Sequence, residues 1–131
     1  MGTLKATLIL KDSTTLSDEL NFSVTDDLTT AAPSRSLSLE TVTQTGGNHI
    51  IVPSATAVAY LFVRHTGTTD GSTGTSATVD LEISDDNSAF ARLNAGEFLF
   101  MPFNHAGADV GCQLQSSSGN VLCEYAFFTK G

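Results

Sequence analysis

The residues best suited to chemistry in this sequence are three histidines, His49, His65 and His105. No two of them are spaced as metal ligands on a strand or a helix, and none forms a metal motif with a neighbouring carboxylate. We therefore interpret each one as a solvated or hydrogen-bonded histidine. The sequence also shows no Ser-His-Asp order, no glycine-rich phosphate loop and no paired carboxylates. It predicts no catalytic residue, and we expect a protein that is not an enzyme.

Two cysteines, Cys112 and Cys123, flank a turn predicted at 116–120. In an antiparallel hairpin both side chains would lie on one face, and a disulfide between them would require that they stand directly opposite each other. A free buried thiol, which packs as a small apolar side chain, is the favoured interpretation. Their spacing matches no redox or zinc motif, so it says little about the compartment.

Aspartates are grouped at Asp26-Asp27, at Asp70 and at Asp85-Asp86. Loop carboxylates can bind Ca²⁺, but the alternating Asp and Asn ligands and the closing Glu of an EF-type loop are absent. Aspartates that stabilise turns through their own backbone explain these groups more simply. The sequence predicts no metal site and no cofactor, with calcium as the alternative.

The charge balance limits the partners. Six basic and fourteen acidic residues give a net charge of −8, which argues against nucleic acid and against an anionic membrane as a partner.

The chain has no run of eighteen apolar residues, so we predict no membrane-spanning helix. Its first residues lack the apolar segment of a secretory signal.

The elements that must position these residues are strands. The chain has 18 Thr and 14 Ser but only three Lys, a bias that favours strands over helices. Apolar and polar residues alternate at 3–11, 20–25, 36–40 and 77–84, and again from Val110 onward. Turn-forming residues separate these segments at 46–48, 66–76, 85–87, 94–96 and 116–120. We predict one all-β domain over 1–131, an antiparallel β-sandwich or jelly roll of about eight strands with little or no helix. The low-complexity segment 66–76 predicts a flexible hairpin loop.

Three segments, 57–63, 98–103 and 121–128, are apolar at consecutive positions and so on both faces of a strand. A two-layer sandwich buries one face of each sheet, so a loop or another subunit has to cover the second face. We predict a homo-oligomer closed by rotation, most plausibly a trimer. The residues predicted for its interface are Leu99, Met101, Phe103, Leu122 and Phe128.

A series of strand and turn segments extends over much of the chain. It consists of Tyr-Leu-Phe-Val-Arg-His-Thr at 60–66, Val-Asp-Leu-Glu-Ile-Ser at 79–84, Arg-Leu-Asn-Ala-Gly-Glu-Phe-Leu-Phe-Met-Pro-Phe at 92–103 and Cys-Glu-Tyr-Ala-Phe-Phe at 123–128. This series resembles small structural proteins of tailed bacteriophages, and the opening segments 4–10 and 22–29 look similar too. The resemblance lies in strands and turns and carries over no catalytic or ligand residue.

The resemblance implies a virion protein that is assembled in the host cytoplasm. The leading hypothesis is a capsid decoration, or cement, protein that binds the major capsid protein and further copies of itself, and so stabilises the phage head. One alternative is a tail or fibre component that binds a host receptor. Another is a lectin-like carbohydrate-binding module, against which the absence of tryptophan counts.

Overall fold

The computed structural model describes residues 2–12, 20–44, 49–53, 58–84, 88–103 and 111–130. These ranges contain nine strands and no helix, and therefore no helix that could cross a membrane. The strands, in chain order, are β1 (Gly2–Asp12), β2 (Leu20–Val42), β3 (His49–Val52), β4 (Val58–His65), β5 (Val79–Ile83), β6 (Ala89–Leu93), β7 (Phe98–Pro102), β8 (Cys112–Ser116) and β9 (Val121–Lys130). The predicted all-β class is confirmed.

The strands form two antiparallel sheets. One has five strands in the order β1-β2-β9-β4-β7, and the other has four in the order β3-β8-β5-β6. The two sheets enclose one apolar core, as in a sandwich. This confirms the predicted sandwich-like architecture, with one strand more than the eight expected.

The core is built from alternate residues of both sheets. The five-stranded sheet contributes Leu61 and Val63 of β4 and Val121 of β9, and the four-stranded sheet contributes Leu81 and Leu114, all of them with no exposed surface. Because successive side chains of a strand point to opposite faces, this choice of inward residues also decides which residues face outward.

β2 is one strand that takes part in two pairings. It pairs with β1 from Leu20 to Thr30, and with β9 from Thr30 to Val42. The pairing with β9 shifts register twice, between Ala31 and Arg35 and between Arg35 and Ser38. The two strands predicted at 20–25 and 36–40 are therefore parts of one strand that bulges between them.

The segment 66–76 connects β4 to β5, which lie in different sheets, so it crosses between sheets and does not join these two strands as a hairpin. Hydrogen bonds hold its backbone, including a bridge between Thr68 and Gly74, and its flexibility stays a prediction. Asp70 Oδ1 accepts the amide hydrogens of Thr73 at 2.8 Å and Ser72 at 2.9 Å, and these bonds lower the pKa of Asp70. The loop backbone also pairs with Leu122 of β9.

The connection at 116–120 crosses between sheets as well, because β8 lies in the four-stranded sheet and β9 in the five-stranded one. The hairpin expected to join Cys112 to Cys123 is therefore absent. The predictions made for His105, for Asp85-Asp86 and for the turns at 46–48 and 85–87 lie outside the described residues.

Leu81 provides a test of the core. Replacing it by alanine (Leu81→Ala) should lower the free energy of unfolding by about 2–5 kcal/mol, because the change leaves a cavity between the sheets. Ile50→Ala is the control, since Ile50 is 57% exposed and its truncation should cost less than about 0.5 kcal/mol. Urea unfolding followed by circular dichroism measures both values. Equal losses in the two variants would contradict the assigned core.

Candidate functional site

His65 is fully buried and both of its ring nitrogens have partners. Nδ1 accepts the amide hydrogen of Gly67 at 2.9 Å, so Nε2 carries the proton and donates it to the Ala77 carbonyl at 2.7 Å. The ring thus ties the end of β4 to both ends of the crossing loop. This is the hydrogen-bonded histidine expected at that position.

His49 joins β3 to the end of β2. The Thr43 amide donates to Nε2 at 3.1 Å, which leaves Nδ1 to donate to Glu40 at 3.0 Å. The Thr43 hydroxyl lies 2.9 Å from the same Nε2, so a hydroxyl, an imidazole and a carboxylate stand in the order used for nucleophilic catalysis. The spacing of these residues did not predict this group. None of the three lines the groove described below, and their bonds join the end of β2 to the start of β3.

Cys112 and Cys123 are both buried and free, in agreement with the favoured interpretation. Burial raises the pKa of each thiol to about 12, with a smaller contribution from Glu82 for Cys112 and from Glu40 for Cys123. Neither sulfur is therefore a nucleophile at neutral pH.

Among the described ranges, no three His, Cys, Asp or Glu side chains lie close enough together to hold a metal ion. Asp26 and Asp27 lie on β2, where Asp27 pairs with Lys5 at 3.6 Å. The side-chain oxygens of Asp70 are occupied by hydrogen bonds within its own loop.

The outer face of the five-stranded sheet carries a group of aromatic side chains. Tyr60 of β4 stacks on Phe100 of β7, with ring centroids 5.9 Å apart and planes 2° apart. Phe62 lies against Phe98 at 6.4 Å with its ring tilted by 40°. We call these four residues the aromatic patch. Phe98 is 63% exposed and Phe100 is 41% exposed, so within this chain the patch is only partly covered.

The N-terminal arm is the two-stranded ribbon made of β1 and residues 20–30 of β2. One of its faces is mostly polar, with a hydrogen bond between Thr7 and Thr25 at 3.0 Å, and carries Ile9 as its exposed large apolar residue. Its other face is mostly apolar, because the register places Leu8 opposite Val24 and Leu10 opposite Phe22.

A groove of about 940 Å³ separates the apolar face of the arm from the outer face of the five-stranded sheet. The arm side of the groove carries leucines and Val24, and the sheet side carries the aromatic patch together with Pro102 and Phe128. Its polar lining comes from Lys5, Thr7 and Asp26. Two apolar surfaces therefore face each other without closing on each other.

The structure divides the residues predicted for an interface between two faces. Phe103 is buried in the core with its ring 6.0 Å from that of Phe90, and Leu99 packs against the core. Met101, two residues from each on the same strand face, is only partly exposed. The exposed face of β7 is the opposite one. Alternation shows that the two faces of a strand differ, but it does not show which face meets the second sheet, so the sequence could not decide between them.

Leu122 and Phe128 take positions in β9 that alternate with the buried Val121, Cys123 and Phe127, so they point outward. Both are partly exposed, and Phe128 lines the groove. The residues missed from the sequence are Phe98, Phe100 and the apolar side of the arm. The alternation at 4–10 and at 22–28 was the available signal for the arm.

The raised pKa values predict how the cysteines react. At pH 8 a thiol reagent should label Cys112 and Cys123 far more slowly in the native protein than in urea, where their pKa returns to about 9. Above pH 9 the unfolded chain loses these protons before the folded one does, so stability should fall as pH rises. The absorbance of a chromogenic thiol reagent measures the labelling rate, and urea titrations at several pH values measure the stability. Native labelling as fast as labelling in urea would contradict the burial of the two thiols.

Comparison with known proteins adds no family to these observations. No protein-family model, no curated protein and no solved structure matches this chain.

Proposed function

We propose that this protein is a non-enzymatic structural protein that associates with copies of itself through the outer face of its five-stranded sheet. Following the resemblance noted in the sequence, we place it in the virion of a tailed bacteriophage as a capsid decoration protein bound to the major capsid protein. The observation that carries the proposal is the exposed aromatic patch with the groove beside it.

The two outer faces of the sandwich differ in chemistry. On the four-stranded sheet, Arg92 donates to both carboxylate oxygens of Asp80, at 2.6 and 3.1 Å. Such cross-strand polar pairs suit a surface in contact with water. The aromatic patch instead suits a surface in contact with protein, because aromatic residues are enriched at the centres of interfaces.

Removing the exposed rings from water would contribute a considerable free energy to binding. Removing a large apolar side chain from water contributes about 1.5–3 kcal/mol. Phe98 and Phe100, with the exposed Leu37 and Leu39 of β2, therefore offer several kcal/mol to any partner that covers them. A monomer that left them in water would be prone to aggregation.

Self-association through one face leaves the polar outer face of the four-stranded sheet free for a second partner. In the proposed function that partner is the capsid, which is contacted by an oligomer of three copies. The chain's acidic charge also disfavours adhesion to packaged nucleic acid.

Electron microscopy of intact particles tests the proposed location of the protein on the phage head. Many copies over the head support decoration, whereas a few copies at the tail support the tail or fibre alternative.

The aromatic patch also favours one alternative of another class, a carbohydrate-binding module, since sugars stack on exposed rings. Against it, the polar groups that line the groove are few and come mainly from Lys5, Thr7 and Asp26. A glycan array discriminates between the two. Binding of a defined glycan that is lost in Tyr60→Ala would support the carbohydrate alternative.

Charging the aromatic patch should disrupt self-association. We expect the wild-type protein to form a species of about 41 kDa, corresponding to three chains of 13.7 kDa. In the double variant Phe98→Asp/Phe100→Asp, the dissociation constant should rise at least about 100-fold, because two apolar contacts are lost and like charges are added. Light scattering at micromolar concentration measures the mass.

Ile50→Asp is the matched control, since it charges an equally exposed apolar residue on the other sheet and should leave the mass unchanged. Wild-type protein that stays at 13.7 kDa would refute self-association.

A further inference from the structure

We infer that the N-terminal arm of one copy occupies the groove of a neighbouring copy, so that the oligomer is held by exchange of arms. This inference rests on the proposed function, because it names the element that covers the apolar face. Its five supporting observations concern the walls of the groove, the tip of the arm, the segment that carries the arm, the surface area involved and the chemistry of the ribbon.

The two apolar walls of the groove do not bury each other within one chain. Leu8 and Val24 on the arm stay 46% and 48% exposed, although the aromatic patch forms the opposite wall. A closed contact would bury them as deeply as Leu61, which is completely buried in the core. The arm therefore lies over its own sheet without packing on it.

The tip of the arm extends past the groove. Its leucines up to Leu8, and Val24 opposite, line the groove, but the next apolar pair, Leu10 and Phe22, does not. Both residues of that pair are exposed. Closing the arm onto its own sheet would leave this pair in water, whereas a groove in a second copy can be positioned to receive it.

The arm leaves the sheet next to an irregular stretch of β2. Between Ala31 and Ser38 the pairing of β2 with β9 shifts register twice, and Pro33, in the same stretch, has no amide hydrogen to give to the sheet. Thr30 and Ala31, at the root of the arm, still pair with β9, and the Thr129 hydroxyl donates to the Ala31 carbonyl. Before Thr30 the strand that pairs with β2 is β1 alone, so the rest of the ribbon is available to a neighbouring copy.

The exposed apolar area is enough for a modest contact between copies. The described apolar residues that are 41–63% exposed on the apolar face of the arm and on the sheet face are Leu8, Leu10, Phe22, Val24, Leu37, Leu39, Phe98 and Phe100. At about 200 Å² for each side chain, the arm residues expose about 380 Å² and the sheet residues about 450 Å². One arm in one groove therefore covers about 800 Å² in all, about half of a standard interface, and each chain of a ring makes two such contacts.

A ribbon of the same chain also fits the groove chemically. An isolated two-stranded hairpin is only marginally stable in water, so the arm gains from any apolar surface that covers its face. The aromatic patch offers such a surface, and the polar residues of the arm outside the groove, such as Thr25 and Asp27, then remain in contact with water. Exchange around a ring pairs each arm with one groove and leaves neither uncovered.

Two complementary variants test this exchange. The arm variant carries Leu8→Asp and Val24→Asp and keeps an intact groove, whereas the groove variant carries Phe98→Asp and Phe100→Asp and keeps an intact arm. We expect each variant alone to be monomeric. Mixed, they should form a heterodimer through the one intact arm and the one intact groove, with an affinity at least about 30-fold above that of either variant for itself. Native mass spectrometry and light scattering measure the composition.

The control is an arm variant with Asn21→Asp and Ser23→Asp, two exposed residues on the other side of the same ribbon that do not line the groove, and it should assemble like the wild type. If an aspartate variant does not unfold cooperatively, threonine replaces aspartate at the same positions, because threonine keeps the preference for strands.

The outcomes separate the two proposals. Suppose that the wild-type protein forms an oligomer. If the mixed variants then form no complex, or if the arm variant alone still assembles, the exchange is overturned and the proposed self-association stands. Wild-type protein that stays monomeric overturns both proposals.

Discussion

The structure depends on one constraint of β-strands, namely that consecutive side chains point to opposite faces. In β4 and β9 consecutive positions are apolar, yet a sandwich has a single core. The core takes Leu61 and Val63 of β4, and with them the alternate residues of the neighbouring β9 from Val121 to Phe127. Tyr60, Phe62 and their neighbours must then face outward. The aromatic patch thus follows directly from how the core is packed.

The same packing determines what the polar groups can do. His65, Cys112 and Cys123 lie among the core residues, where hydrogen bonds occupy both nitrogens of the histidine and burial keeps the thiols protonated. His49 is held between Glu40 and Thr43 at the junction of β2 and β3. In the described part of the chain these groups stabilise strand ends and loops. The groove, which has the size of a binding site, is lined mainly by apolar side chains.

Alternation along the sequence was enough to predict the all-β class, the sandwich and the strands with two apolar faces. It could not show which face of β7 meets the core, because Leu99 and Phe103 on one side are as apolar as Phe98 and Phe100 on the other. It also could not assign strands to sheets, since a turn such as 116–120 suits a hairpin and a crossing between sheets equally well. Both choices depend on contacts between strands distant in the sequence, such as β2 with β9.

In the proposed assembly, the arm also has a role before the copies meet, because it can shield the apolar surface of a single chain. In a single chain the arm lies over the aromatic patch, and stacking of Tyr60 on Phe100 covers part of each ring. A tethered arm has a high effective concentration at its own groove, so it competes with the arms of other copies until the protein is abundant. Each chain also carries a net charge of −8, and this repulsion further opposes contact in dilute solution. The proposed exchange would then be favoured where many copies are held side by side, because there a complete contact with a neighbour's arm would outweigh the incomplete contact made by the chain's own arm.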